Sequence, residues 1–117
     1  MVDKLKDSNL SDLLLWLLRR RLRFRIAGNS MTPLLKSGDE VLVNPRAYQQ
    51  MTPQSGDIVV ARHPYRKDLR LVKRVAAVLD DGSCIIEGDN SSESTDSRSF
   101  GAIFPKHIFG QVTSRFL

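Results

Sequence analysis

Two stretches of the chain are spelled alike. GDEVLVNP (Gly38 to Pro45) and GDIVVARHP (Gly56 to Pro64) each open on Gly-Asp, run through β-branched residues and stop at a proline. Gly-Asp is turn chemistry, and proline lacks the N–H that a ladder needs, so each reads as a strand set between a turn and a stop. LRLVKRVAAVL (Leu69 to Leu79) is a further strand, DDG (Asp80 to Gly82) turns into SCIIEG, and IFGQVTSRF closes the chain as a last short strand. In RLRFRI, arginine alternates with Leu22, Phe24 and Ile26, the period of a half-buried strand. The sequence therefore predicts a mostly β fold preceded by one short N-terminal helix.

That helix centres on LLLWLL (Leu13 to Leu18), which RRRLRFR follows with five arginines. Six apolar residues fall far short of the roughly 20 that cross a bilayer. A signal peptide would carry its positive charge before the apolar run rather than after it. Ser11 is the expected N-cap, with Asp12 at the positive end of the helix dipole and Arg19 to Arg21 at the negative end. Two readings stand: the helix docks on the core with its arginines in water, or it lies in a membrane surface or grips a partner. A chain of 117 residues suits one domain; the boundary falls between an N-terminal segment, 1–21, and the body, 22–117. The net charge of +5 suits an anionic partner. One cysteine, Cys84, excludes an internal disulfide and fits a reducing compartment such as the cytoplasm. The two histidines, His63 and His107, stand far apart with no ligand cluster, so no metal is expected.

Within AGNSMTPLL, Ser30 is either a turn-former or a nucleophile held on a bend. A serine hydroxyl needs a base. Neither histidine carries a supporting local motif, which leaves a lysine kept neutral by burial. Of the six lysines, Lys4, Lys6, Lys36, Lys67 and Lys106 sit in polar or turn segments. Lys73 does not. At strand period two it shares a face with Leu69, Leu71, Val75 and Ala77, while Arg70 and Arg74 point the other way. Its amine either snorkels to water or stays buried as a base. Ser94, Asp96 and Arg98 also recur at spacing two. They form an ordinary polar loop, or a serine that orients the lysine with a charge pair behind it.

GNSMTPLLKSGDEVLV, GDIVVAR, LVKRVAAV and GDNSSESTDSRSFG together resemble the signal peptidase I family of serine–lysine proteases, over residues 22–117. Within that family the ESTDSRSFG segment and the GQVTSRF ending are most similar to the proteases that mature nickel-type superoxide dismutase. The resemblance implies a coiled antiparallel β-sheet catalytic domain of the signal peptidase and SOS-repressor type. It implies Ser30 as nucleophile, Lys73 as general base, Ser94 as the residue holding the amine, and Asp96 with Arg98 as a supporting ion pair. The oxyanion would be held by the Ser30 N–H, beside Asn29. Gly28 stands at the position of a second donor but has no hydroxyl to offer. The implied partner is a precursor protein, a nickel-type superoxide dismutase carrying its leader, cut in the cytoplasm without any cofactor. Peripheral membrane contact would run through the N-terminal helix, and no nucleic acid is expected. A general signal peptidase acting on exported preproteins is the alternative within the same chemistry. A basic binding module for a membrane surface or nucleic acid is the alternative outside it.

Overall fold

The computed structural model of the protein describes residues 5–116, so Lys4 and Leu117 lie outside the described residues. Helix α1 (Leu10–Leu17) leads into six strands: β1 (Leu22–Arg25), β2 (Glu40–Asn44), β3 (Ile58–Arg62), β4 (Arg70–Val78), β5 (Cys84–Glu87) and β6 (Ile108–Arg115). A one-turn helix, α2 (Ser97–Phe100), follows β5. The strands form one sheet in the order β1-β2-β6-β3-β4-β5, and every pairing is antiparallel. The mostly β reading with a single N-terminal helix holds.

The two Gly-Asp stretches fold as near copies of one another. Gly38 and Gly56 both take positive φ, at 94° and 99°, where a side chain would be strained. In each, the following aspartate folds back on the residue three before it. Asp39 Oδ2 accepts the Lys36 N–H at 2.9 Å and Asp57 Oδ2 accepts the Gln54 N–H at 3.0 Å. Tyr48 donates its hydroxyl to the same Asp57 oxygen at 2.8 Å. The turns are thus closed by aspartates, and the strands start at fixed positions.

β2 and β3 are buried along their length rather than alternately, which explains their continuous apolar spelling. The sheet divides its apolar side chains between two clusters. One gathers Val60, Val72, Val41, Val43 and Val112 with Ile26, Met31 and Leu35. The other gathers Val59, Ala61, Val75, Cys84, Ile86 and Ile103. Register shifts at Leu42/Val43, Val60/Ala61 and Val75/Ala77 bend the strands, as bulges do.

The N-terminus departs from expectation in three ways. The N-cap is Asn9, not Ser11. Asn9 accepts the Asp12 N–H, and Asp12 returns a bond from the Asn9 N–H, each at 3.0 Å, a reciprocal capping box. Asp12 is engaged in that box and in an ion pair with Lys6 at 2.9 Å. The helix stops at Leu17, so Arg19 to Arg21 lie beyond it rather than in its last turn. Leu22, expected on the buried side of β1, is exposed, while Phe24 and Ile26 turn progressively inward.

β6 lies between β2 and β3, and at Gly110 it passes close to β2. A Cβ at Gly110 would stand 2.6 Å from the Asn44 carbonyl oxygen and 2.8 Å from Val43 Cγ1. Gly110→Ala therefore forces two central strands apart. The expected loss is about 1–3 kcal/mol of stability, as for an overpacked core, read by chemical denaturation. A wild-type midpoint in this variant would contradict the packing.

Candidate active site

Ser30 sits half-buried in a bend that follows β1. Gly28, at φ 80°, lets the chain turn out of the strand. Thr32 closes the bend by donating both its N–H and its hydroxyl to the Asn29 carbonyl, at 3.2 and 3.0 Å. Met31 and Leu35, at 1% and 0% exposure, anchor it in the first apolar cluster. The carbonyl of Ser30 accepts the Asn90 N–H at 2.8 Å. Its own N–H has no acceptor among the described residues.

Lys73 lies in mid-β4, directly opposite Val59 of β3, and is only 3% exposed. Its Nζ donates to Ser94 Oγ at 3.0 Å. Ser94 in turn donates to Asp96 Oδ2 at 2.6 Å. Asp96 is fully buried, N-caps α2, and also accepts the Gly88 N–H at 2.8 Å. Arg98 supplies its N–H and Nε to Asp96 Oδ1, each at 3.0 Å, and its Nη2 to Oδ2 at 2.6 Å. Lys73 and the three residues at spacing two form one hydrogen-bonded line, Lys73–Ser94–Asp96–Arg98.

Electrostatics follow from this placement. Burial lowers the Lys73 pKa, the nearby Asp96 carboxylate opposes that shift, and Arg98 adds to it; the net direction is down. For Asp96, burial would favour the neutral acid. The bonds from Arg98, from Ser94 and from the N–H groups of Gly88 and Arg98 outweigh it and hold the carboxyl below its ordinary range. A lysine amine with a lowered pKa can accept a proton.

Ser30 and Lys73 line the same cleft, a space of about 280 Å³ whose walls are residues 24–31 and 69–73, with Glu93 and Thr95 completing the lining. Both walls are strand edges. β1 pairs only with β2. β4 pairs with β3 through residues 70–74, but with β5 only from Arg74 onward, so the other edge of 70–73 carries no strand. Ile26 exchanges bonds with Asp39 and Gly38 on the β2 side; by antiparallel alternation Arg25 turns its N–H and C=O toward the cleft.

Sequence reasoning passed over Gly88 and Asn90. A Cβ at Gly88 would overlap Ser94 Oγ and stand 2.6 Å from the Ser30 carbonyl oxygen. Asn90 Nδ2 donates to the Asn29 carbonyl at 3.1 Å and to Thr32 Oγ1 at 3.0 Å. The signal was a third Gly-Asp, in GDN, which ends a strand where the first two open one. The histidines lie elsewhere: His63 Nδ1 accepts the N–H groups of Tyr65 and Arg66 in a turn.

Asp96 links the site to stability. A carboxyl whose folded pKa is depressed contributes stability above its unfolded value, near 4, and loses it as pH falls through the folded value. The melting temperature of the wild-type protein is therefore expected to exceed that of Asp96→Asn most at neutral pH, and the gap to narrow below about pH 4. A gap independent of pH would show that Asp96 is not ionised in the fold.

Comparison with known proteins matches residues 13–82 to the family described as signal peptidase, peptidase S26; the matched span includes Ser30 and Lys73. Mitochondrial inner membrane protease subunit 1 of Xenopus tropicalis is 29% identical over 108 residues, covering 76% of this chain and 65% of that protein. Subunit 2 of the mitochondrial inner membrane protease of Mus musculus is 32% identical over 100 residues, covering 68% of this chain and 57% of that protein. Signal peptidase I of Aquifex aeolicus is 37% identical over 54 residues, covering 46% and 21% respectively. The chain thus spans less than two thirds of the length of these relatives. With the family pattern running through more than half of its residues, the chain belongs to the signal peptidase S26 family.

Proposed function

We propose that the protein is a serine endopeptidase with a Ser30/Lys73 dyad that removes an N-terminal leader from a precursor protein. The observation that carries the reading is the buried Lys73 amine, bonded to Ser94 and lining one cleft with Ser30. Residues 22–117 would be the peptidase body and 1–21 its N-terminal segment. A substrate strand lies between the free edges of β1 and β4, adding main-chain bonds to both. Neutral Lys73 takes the proton of Ser30, whose Oγ attacks the scissile carbonyl. The Ser30 N–H, without an acceptor among the described residues, holds the developing oxyanion. Gly28, with no side chain, leaves the substrate backbone room beside Asn29. Protonated Lys73 then gives its proton to the leaving amine, and water activated by the same amine releases the acyl group. Ser94 positions the amine, and Asp96 with Arg98 positions Ser94.

The nickel-type superoxide dismutase precursor is the substrate we favour, on the likeness of ESTDSRSFG and GQVTSRF to that subgroup. A leader on such a dismutase would block an N-terminal amine needed for nickel, so cleavage would switch on metal binding. Action in the cytoplasm at a membrane surface fits the exposed Leu10, Leu14, Leu17 and Leu18 of α1 and its C-cap, with Arg19 and Arg20 next to them. A general signal peptidase for exported preproteins is the second reading, supported by the names of the relatives.

Ser30→Ala and Lys73→Ala are each expected to lower kcat/KM by about 10³-fold or more with the fold intact by circular dichroism. Lys73→Arg fails as well, since a guanidinium stays protonated. Activity of the wild type rises with pH as Lys73 loses its proton, and the limb lies below the ordinary lysine range because the pKa is lowered. Arg98→Gln removes a charge that lowers that pKa, so its limb moves to higher pH. A pH-independent chemical step would refute the lysine base. For the substrate, co-expression of the dismutase precursor with wild-type or Ser30→Ala protein is read by mass spectrometry of its N-terminus. A precursor left whole by an enzyme that cuts exported preproteins would favour the second reading.

A further inference from the structure

A second concavity, of about 390 Å³, opens beside the cleft and is lined by Pro45, Arg62, Arg70, Lys106, His107, Ile108 and Phe109. Its charge is of one sign, and the sheet register creates it. Arg62 at the end of β3 stands directly opposite Arg70 of β4. On its other side Ala61 pairs with Ile108, which sets the Lys106–His107 turn beside Arg62. Like charges directly opposite one another destabilise a sheet. Yet Arg62, Arg70 and Lys106 have no carboxylate partner among the described residues, and no acid lines the concavity. Arg70 rests its guanidinium 4.4 Å from the Phe109 ring centroid, which fixes it over the surface. His107 registers the local field: burial, then Arg62 and Lys106, push its pKa down.

Arg70 also lines the cleft. It lies three residues from Lys73, about 10 Å along an extended strand. A peptide strand whose scissile bond sits at Ser30 would therefore run onto the basic concavity as it leaves the cleft. We propose that Arg62, Arg70, Lys106 and the adjoining His107 form an exosite for an acidic segment of the substrate polypeptide, with carboxylates about three to six residues from the scissile bond. The proposal rests on the peptidase reading and specifies the class of substrate.

The experiment separates binding from cleavage. Ser30→Ala protein is titrated with fluorescein-labelled peptides of one sequence, carrying Asp and Glu or Asn and Gln at positions three to six on either side of the bond. Fluorescence anisotropy is expected to show the acidic peptide bound about five- to tenfold more tightly on one of the two sides at low salt, with the gap closing near 0.5 M salt. Adding Arg62→Gln and Lys106→Gln should remove most of the gap. Adding Arg20→Gln and Lys36→Gln instead, charges outside the concavity, should leave it. Adding Arg62→Glu alone should turn the preference toward neutral peptide, and circular dichroism confirms that each variant is folded. Equal affinities for the two peptides, or a gap that survives Arg62→Gln/Lys106→Gln, would overturn the exosite. Equal peptide affinities with binding to phosphatidylglycerol vesicles or to an oligonucleotide that the double variant loses would overturn it in favour of those ligands. Wild-type protein incubated with the same peptides reports separately on the dyad: tight acidic binding without any cleavage would sink the peptidase reading while showing that the basic surface selects acidic peptide.

Discussion

The arrangement turns on one buried amine. Taking a lysine out of water disfavours its charged form strongly, and Lys73 is nearly enclosed by a β strand and the loop that follows β5. Snorkelling to solvent, the ordinary solution for such a side chain, is not available to it. Its Nζ instead meets a serine hydroxyl, and that hydroxyl is itself committed to a buried carboxylate. The loop 88–98 exists in its observed shape because Asp96 gathers donors from Gly88, Ser94 and Arg98. The same loop reaches the other side of the cleft through Asn90, which bonds the Ser30 carbonyl. Hydroxyl and amine are thus positioned by one segment, although three strands separate β1 from β4 in the sheet order.

That segment can span the cleft only because the sheet is coiled. Three register shifts bend the strands, and the chain just after β1 packs Ile26 into the same cluster as Val72 of β4. β1 is an edge strand, and β4 loses its outer partner before Arg74. Two unpaired edges facing one cleft would ordinarily invite aggregation. Here they are short, and arginines Arg25 and Arg70 stand along them, charges of the kind that keep edges from pairing indiscriminately.

Much of this was legible in the sequence, and the limits have physical reasons. Proline stops and Gly-Asp openers located β2 and β3 because those signals act within a few residues. Period two put Lys73 on an apolar face, and the structure keeps it there. Ser11 and Asn9 are both good capping residues, and only the reciprocal bond with Asp12 makes Asn9 the cap. The sequence puts Arg19 to Arg21 at the negative end of the helix dipole, but the chain leaves the helix at Leu18 and reaches positive φ at Arg19. No local pattern could place β6 between β2 and β3, since that insertion is set by pairings across most of the chain. For Gly88 and Asn90 the third Gly-Asp marks only a turn; their constraint is contact with the Ser30 bend, some sixty residues away in sequence. For Ser94, Asp96 and Arg98, spacing alone leaves a polar loop and a lysine-orienting group as alternatives, and the family likeness is what implies the second.

The Asp96–Arg98 pair shows why the chain places two charges behind the lysine rather than one. A lone carboxylate near Nζ would favour the ammonium form and keep the amine charged. A lone guanidinium would repel it and lose the acceptor that orients Ser94. Together they form a nearly neutral unit: Asp96 raises the lysine pKa, Arg98 lowers it, and burial remains the dominant influence. Asp96 is enclosed while Arg98 reaches solvent, with its side chain 42% exposed, so the carboxylate is satisfied without burying a second full charge. The pair therefore aims the hydroxyl of Ser94 while its two charges act on the Lys73 pKa in opposite directions, beneath the larger downward push of burial. Orientation comes from the hydrogen bonds that run through Ser94, and the direction of the Lys73 shift comes first from burial.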